Sequence, residues 1–138
     1  MQVSRGDVHT PGRYSQLRDY SGLVFGNITP TDVDGLIEFH NKGYVILELK
    51  HEQNTLPYGQ KLALERLTDD LALCGKKVIC IISTHKTKVE DKIDAAITTV
   101  LKFRYNRSWR EPKRLTTTKQ LVSWFLGDFI DGNGRKGG

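Results

Sequence analysis

Four polar side chains stand where the surrounding pattern is apolar: Asp34, Glu48, Lys50 and Gln60. The run Tyr44–Lys50 alternates as a strand does. Glu48 and Lys50 therefore share one face with Tyr44 and Ile46, while Val45, Leu47 and Leu49 take the other. A strand covered on both sides does not hold a Glu and a Lys without partners, because each desolvated ion costs several kcal/mol. The preceding strand reads as Val33–Phe39, joined to the first by the turn His40-Asn41-Lys42-Gly43. A three-residue loop, His40 to Lys42, pairs Phe39 with Gly43 and lands Asp34 opposite Glu48. A two-residue loop puts Asp34 opposite Leu49, on the wrong face. In the first register the two carboxylates come to about 5 Å between Cβ atoms. That separation suits a hard cation with oxygen ligands, Mg²⁺ or Mn²⁺, to which the backbone carbonyl of Leu49 is a further candidate ligand. A Lys50 ammonium beside such an ion would orient an attacking water and offset charge growing on a phosphorane, which is the chemistry of metal-assisted phosphodiester hydrolysis.

The elements that must position these groups are legible in outline. A helix opens at Pro57 and stops before Gly75, with Leu64, Leu67, Leu71 and Cys74 at helical spacing. Gln60 precedes those leucines by four, seven and eleven residues, so it lies at the N-terminal end of the same stripe and points toward Lys50. Val78–Ser83 is a continuous apolar run, as expected of a strand covered on both faces. The stretch Ile93–Tyr105 favours a strand through its β-branched middle, and Thr116–Phe129 reads as a final helix with Leu121, Val122, Phe125 and Phe129 inward. A short polar helix is expected from Thr10-Pro11 through Tyr20, and a Gly-rich, disordered tail over 131–138. The order α-β-β-α-β-β-α implies an α/β sandwich on a small mixed sheet, a single domain over residues 1–130.

A chain of 138 residues suffices for one core of moderate size. With 38% hydrophobic and 27% charged residues the composition is globular. The net charge of +5 and pI near 9.3 lean toward polyanions. Cys74 and Cys80 lack zinc-site spacing and read as packing thiols in a reducing compartment. The N-terminus has no apolar stretch of a signal peptide, and nowhere do 18 apolar residues run together, so a cytoplasmic protein with no membrane partner is expected.

Asp34-Gly35, Glu48-Leu49-Lys50 and Gln60, in this order on strand, strand and helix, resemble the PD-(D/E)xK nuclease superfamily, particularly small phage, VRR-NUC-like or Holliday-junction-resolvase-like members. The resemblance is carried by Ile28 to about Ser83. It implies a restriction-endonuclease-like fold and a metal-dependent DNA endonuclease of phage or prokaryotic type, in which Asp34 and Glu48 bind the metal, Lys50 is catalytic and Gln60 supports the site. Val33 stands where the motif has Pro. Many members carry a Glu on the N-terminal helix, and here Asp19 is the candidate extra ligand. Asp32 competes with Asp34 but lacks its register and following Gly.

Between Lys102 and Arg114 six basic residues, Lys102, Arg104, Arg107, Arg110, Lys113 and Arg114, are interleaved with Phe103, Tyr105 and Trp109. Such a segment either binds DNA, with cations on phosphates and Trp109 on unpaired bases, or is a solvated strand and loop with Trp109 packed inward. His85 ends its strand, where a polar residue could reach the site, although a lone His is more often structural. A domain this small covers a short duplex, so a homodimer or a larger protein partner is expected. The rival function is a catalytically silent nuclease-fold protein that binds nucleic acid or a host protein.

Overall fold

The computed structural model describes residues 17–52 and 55–134, with side chains along the last helix as far as Gly127. Two compact units divide at Thr31/Asp32. In the first, Ser21–Leu23 form a single 3-10 turn, and a tight turn at Gly26-Asn27 pairs Phe25 with Ile28 through two backbone hydrogen bonds. No helix runs through 17–20, contrary to the expected helix ending at Tyr20; its earlier part, 10–16, lies outside the described residues.

The second unit is an α/β sandwich. Its strands are β1 (Gly35–Phe39), β2 (Gly43–His51), β3 (Lys77–His85), β4 (Thr99–Tyr105) and β5 (Ser108–Arg110), and its helices α1 (Tyr58–Leu73) and α2 (Thr118–Gly134). They form one five-stranded mixed sheet in the order β1-β2-β3-β4-β5. Only β2 and β3 run parallel, with α1 as the crossover between them.

Turn chemistry sets the register. His40 and Asn41 both adopt positive φ (48° and 62°), and the Lys42 N–H donates to the Phe39 carbonyl at 2.8 Å. Asn pays little for this left-handed conformation. Lys76 donates to both the backbone and side-chain oxygens of Asn41, and the Lys77 N–H reaches the Lys42 carbonyl at 3.1 Å, so the turn is tied to the start of β3. The result is the three-residue loop: Phe39 pairs with Gly43 and Gly35 with Leu47.

Strand parity then sorts the core. Val45, Ile79, Ile81 and Val100 pack with Leu121 and Phe125 of α2 on one face. Ile46, Val78, Cys80 and Ile82 pack with Leu64 of α1 on the other. The expected α1 stripe needs correction. Leu67 is 45% exposed and Cys74 is exposed, whereas Thr68 is buried. Thr68 is tolerated because its hydroxyl donates to the Leu64 carbonyl at 2.7 Å.

Three further boundaries differ from expectation. Strand structure begins at Thr99 rather than Ile93, because Asp94 accepts the Ala96 N–H and starts a 3-10 turn there. The helix α2 begins at Thr118, after a reciprocal pair in which the Thr117 N–H donates to Gln120 Oε1 and the Gln120 N–H to Thr117 Oγ1. It continues to Gly134, four residues into the expected tail; the side chain of Phe129 lies outside the described residues. Finally, β5 was not expected. Asn106 and Arg107, both at positive φ, form the two-residue turn that folds it onto β4.

The placement of α1 gives a direct test. Truncating Leu64 to Ala removes a side chain that is 2% exposed, and should cost about 2–5 kcal/mol in urea unfolding with unchanged slope. Leu67→Ala should stay within about 0.5 kcal/mol. Equal losses would mean that α1 presents another face.

Candidate functional site

The ladder between β1 and β2 closes at Gly35–Leu47. One residue earlier the Asp34 N–H donates to the Leu47 carbonyl at 3.1 Å, and Asp34 Oδ2 accepts the Leu49 N–H at 2.7 Å. The carboxylate thus does at the hairpin's end what a main-chain carbonyl does inside a ladder. This bond holds Asp34 against β2, close enough for its charge to act on Glu48.

Glu48 lies one position back on β2 and is 3% exposed. Its Oε2 is 3.1 Å from Lys50 Nζ. Its Oε1 is buried and has no hydrogen-bond partner among the described residues. Burial, and then the charge of Asp34, push the Glu48 carboxyl above its ordinary range; Lys50 and Gln60 pull the other way without cancelling them.

Lys50 also donates to Gln60 Oε1 at 3.1 Å, and Gln60 Nε2 donates to the Asp32 carbonyl at 3.4 Å. Gln60 sits in the first turn of α1, after the N-cap Pro57. Asp34, Glu48, Lys50 and Gln60 are therefore brought together, and Asp32 contributes a backbone oxygen rather than its side chain. In the register of the parallel pair, Lys50 meets Thr84 and His51 meets His85. The cluster thus stands at the carboxyl ends of β2 and β3, where open α/β sheets carry their ligands.

No group of three or more His, Cys, Asp and Glu side chains able to hold a metal occurs among the described residues. The available donors are two carboxylates and neighbouring backbone oxygens. Even so, a buried carboxylate oxygen with no donor is costly, and a hard cation is one species that would satisfy it.

Other expected residues fall elsewhere. Asp19 belongs to the first unit, where its carboxylate accepts the Ser21 N–H at 2.9 Å. His85 follows Ser83 on the face opposite Glu48, with its ring 5.3 Å from that of His51. Its Nδ1 accepts the Thr87 N–H.

The basic segment divides in two. Arg104 makes a bidentate pair with Asp69 (2.9 and 2.8 Å), which lowers the Asp69 carboxyl and raises the Arg104 guanidinium. Trp109 is half-buried against the α1 cluster and donates its indole N–H to Glu65 at 2.6 Å. Lys102 lies over the Trp109 ring. Arg107, Arg110, Lys113 and Arg114 are exposed, and Arg110 Nε donates to the Tyr105 carbonyl. Sequence reasoning missed Lys61, Glu65 and Asp69. Their i, i+4, i+8 spacing marks one helical stripe, but the strand that the stripe meets went unrecognised.

No family model, curated protein or solved structure matches the chain.

The raised Glu48 carboxyl fixes the sign of a pH effect. A folded pKa above the unfolded one means that the folded state binds the proton more tightly. The associated stability is present below the unfolded carboxylate range and is lost as pH rises through the folded value. Glu48→Gln removes this titration. In thermal melts with EDTA between about pH 4 and 8, the variant should gain on the wild type as pH rises; a constant difference would contradict the burial of Glu48 as an ion.

Proposed function

We propose that the second unit is a metal-dependent phosphodiester hydrolase acting on DNA, with Asp34 and Glu48 as metal ligands. The observation that carries this reading is the buried, unpartnered Glu48 Oε1, on a carboxylate that feels the charge of Asp34 and pairs with Lys50 through its other oxygen. A structural ion pair would account for Lys50 and one Glu48 oxygen. It gives no reason to bury a second carboxylate oxygen without a donor or to bring another carboxylate near it. The restriction-endonuclease-like topology and the PD-(D/E)xK resemblance belong to this proposal.

A divalent cation at this position supplies Lewis acidity toward a phosphodiester oxygen and toward water. The chain's own residues do the remainder. Asp34 is held by the Leu49 N–H, so one oxygen is anchored while the carboxylate stays at the solvent-facing end of the hairpin. Lys50, fixed by Glu48 and Gln60, presents a positive charge where negative charge develops on the phosphorus oxygens. Gln60 sets the direction of that ammonium and ties it to the Asp32 carbonyl.

The test uses supercoiled, linear, single-stranded and branched DNA, with RNA alongside, in Mg²⁺, Mn²⁺ or EDTA. Wild-type cleavage should require the metal. Lys50→Ala should lose on the order of 10²–10³-fold in rate, and Gln60→Ala roughly 10–100-fold. Added Mn²⁺ should raise the melting temperature of the wild type by mass action but not that of Glu48→Ala. Cleavage that persists in Glu48→Ala and Lys50→Ala would sink the site. Tight DNA or host-protein binding with no cleavage of any substrate would favour the catalytically silent rival.

A further inference from the structure

The row of side chains that contains Glu48 continues across the sheet. Glu48 pairs with Ile82 on β3, and Ile82 with Lys102 on β4. Register partners share a face, so Lys102 stands on the α1 face two strand spacings, about 10 Å, from Glu48. A β-bulge follows directly after this pair. Ile82 pairs with Lys102 but Ser83 with Val100, leaving Leu101 as the extra residue. The shift turns Val100 into the α2 core while Lys102 keeps the row of the carboxylate.

The ammonium of Lys102 lies 5.1 Å from the centroid of the Trp109 ring, and that of Lys61 lies 5.9 Å from the same centroid. Lys102 has no carboxylate partner among the described residues. Lys61 has one, Glu65, at 4.0 Å, and that carboxylate already accepts the Trp109 N–H at 2.6 Å. Two ammonium groups on one indole repel each other and are incompletely neutralised. Arg104, whose guanidinium also lies by this ring, is instead charge-paired by its bidentate bond to Asp69. Pinned by Glu65 and flanked by these cations, the ring is not free to stack on a base. The cluster offers positive charge without a base-reading surface.

We propose that Lys102 and Lys61, seated on Trp109, bind a backbone phosphate next to the one presented to Glu48 and Lys50, and so position duplex DNA without reading its sequence. Lys102 and Lys61 are positioning residues, and Arg104 is a structural tie that contributes no phosphate contact. This inference rests on the hydrolase reading above, but its test does not require cleavage.

Binding of a fluorescently labelled DNA duplex to the full chain, in EDTA, is followed by anisotropy over a range of salt concentrations. Each lost phosphate contact flattens the slope of log K against log salt by roughly 0.9. Because the two lysines share one phosphate, Lys102→Ala and Lys61→Ala should each flatten the slope in part, the double variant should flatten it by roughly 0.9 in all, and Lys102→Arg should keep the wild-type slope. The paired variant Arg104→Gln/Asp69→Asn should keep it. Lys102→Gln, which retains most of the stem, serves as the second variant if Lys102→Ala melts early. Affinities should agree within about twofold for two unrelated duplex sequences, since phosphate contacts carry no sequence information. An unchanged slope in the Lys61/Lys102 double variant overturns the proposal, as does a tenfold preference for one sequence. A wild type that cleaves nothing yet shows the slope changes would remove the hydrolase reading and leave the phosphate seat standing. Metal-dependent cleavage with unchanged slopes would do the reverse.

Discussion

The register of the first hairpin is the constraint on which the rest depends. His40 and Asn41 accept left-handed backbone conformations, and Lys76 and Lys77 fasten the turn to the start of β3. A strand has a side-chain period of two, so a slip of one residue would exchange the faces of β1 against β2. It would carry Asp34 away from Glu48 and move Ile37 and Phe39 off the α2 core. Gly35 reinforces the register at the other end. A Cβ at that position would meet Leu47 Cδ1 at 3.2 Å, so a side chain there would oblige Leu47 to shift by a few tenths of an ångström. The same turn that aligns the hairpin therefore aligns the parallel pair, since one clamp joins β1, β2 and β3.

Given that alignment, the electrostatics of Glu48 follow from where the row falls. Ile46 and Ile82 flank it in the α1 core, and both are almost fully buried. The polar groups that reach Glu48 come from the ends of elements: Asp34 from before β1, Lys50 from the end of β2 and Gln60 from the start of α1. An ion in that position is held at a cost, because desolvation and a neighbouring carboxylate both disfavour it and one ammonium only partly compensates. Local conflicts that a fold maintains are where function is usually found. Here the conflict is confined to one oxygen atom, Oε1 of Glu48.

How much of this was legible follows from which signals are local. The hairpin could be read from alternation and turn residues, and the inward position of Gln60 from helical spacing, because both periods are properties of the chain itself. The exchange of Leu67 for Thr68 could not. A Thr scores as polar until its hydroxyl is seen bonded to the Leu64 carbonyl, and an exposed leucine leaves no mark in the sequence. The three residues of β5 are too few for a period to show, and its Asn106-Arg107 turn lacks the glycine that usually announces one. The bulge at Leu101 breaks the alternation of β4, so Ile93–Tyr105 could be read as strand from its β-branched middle but not from its period. For α2, Gly127, Gly132 and Gly134 argue against helix to the end, whereas the Thr117/Gln120 pair was a readable start.

Missing β5 hid a connection between the basic segment and the site. Glu65 and Asp69 are one and two helical turns beyond Lys61, and they anchor α1 to Trp109 and Arg104. The first turn of the same helix carries Gln60 to Lys50. A half-buried bidentate pair resists sliding of the helix along the sheet better than an apolar contact does, because its two bonds fix distance and direction together. Arg104 and Trp109 thus set the position of the helix that directs the Lys50 ammonium, although neither is near it in sequence. A short D…E-x-K pattern has little meaning in an arbitrary chain. In this one it is held by a clamped turn at one side and a salt-bridged helix at the other, and the two supports meet at Lys50.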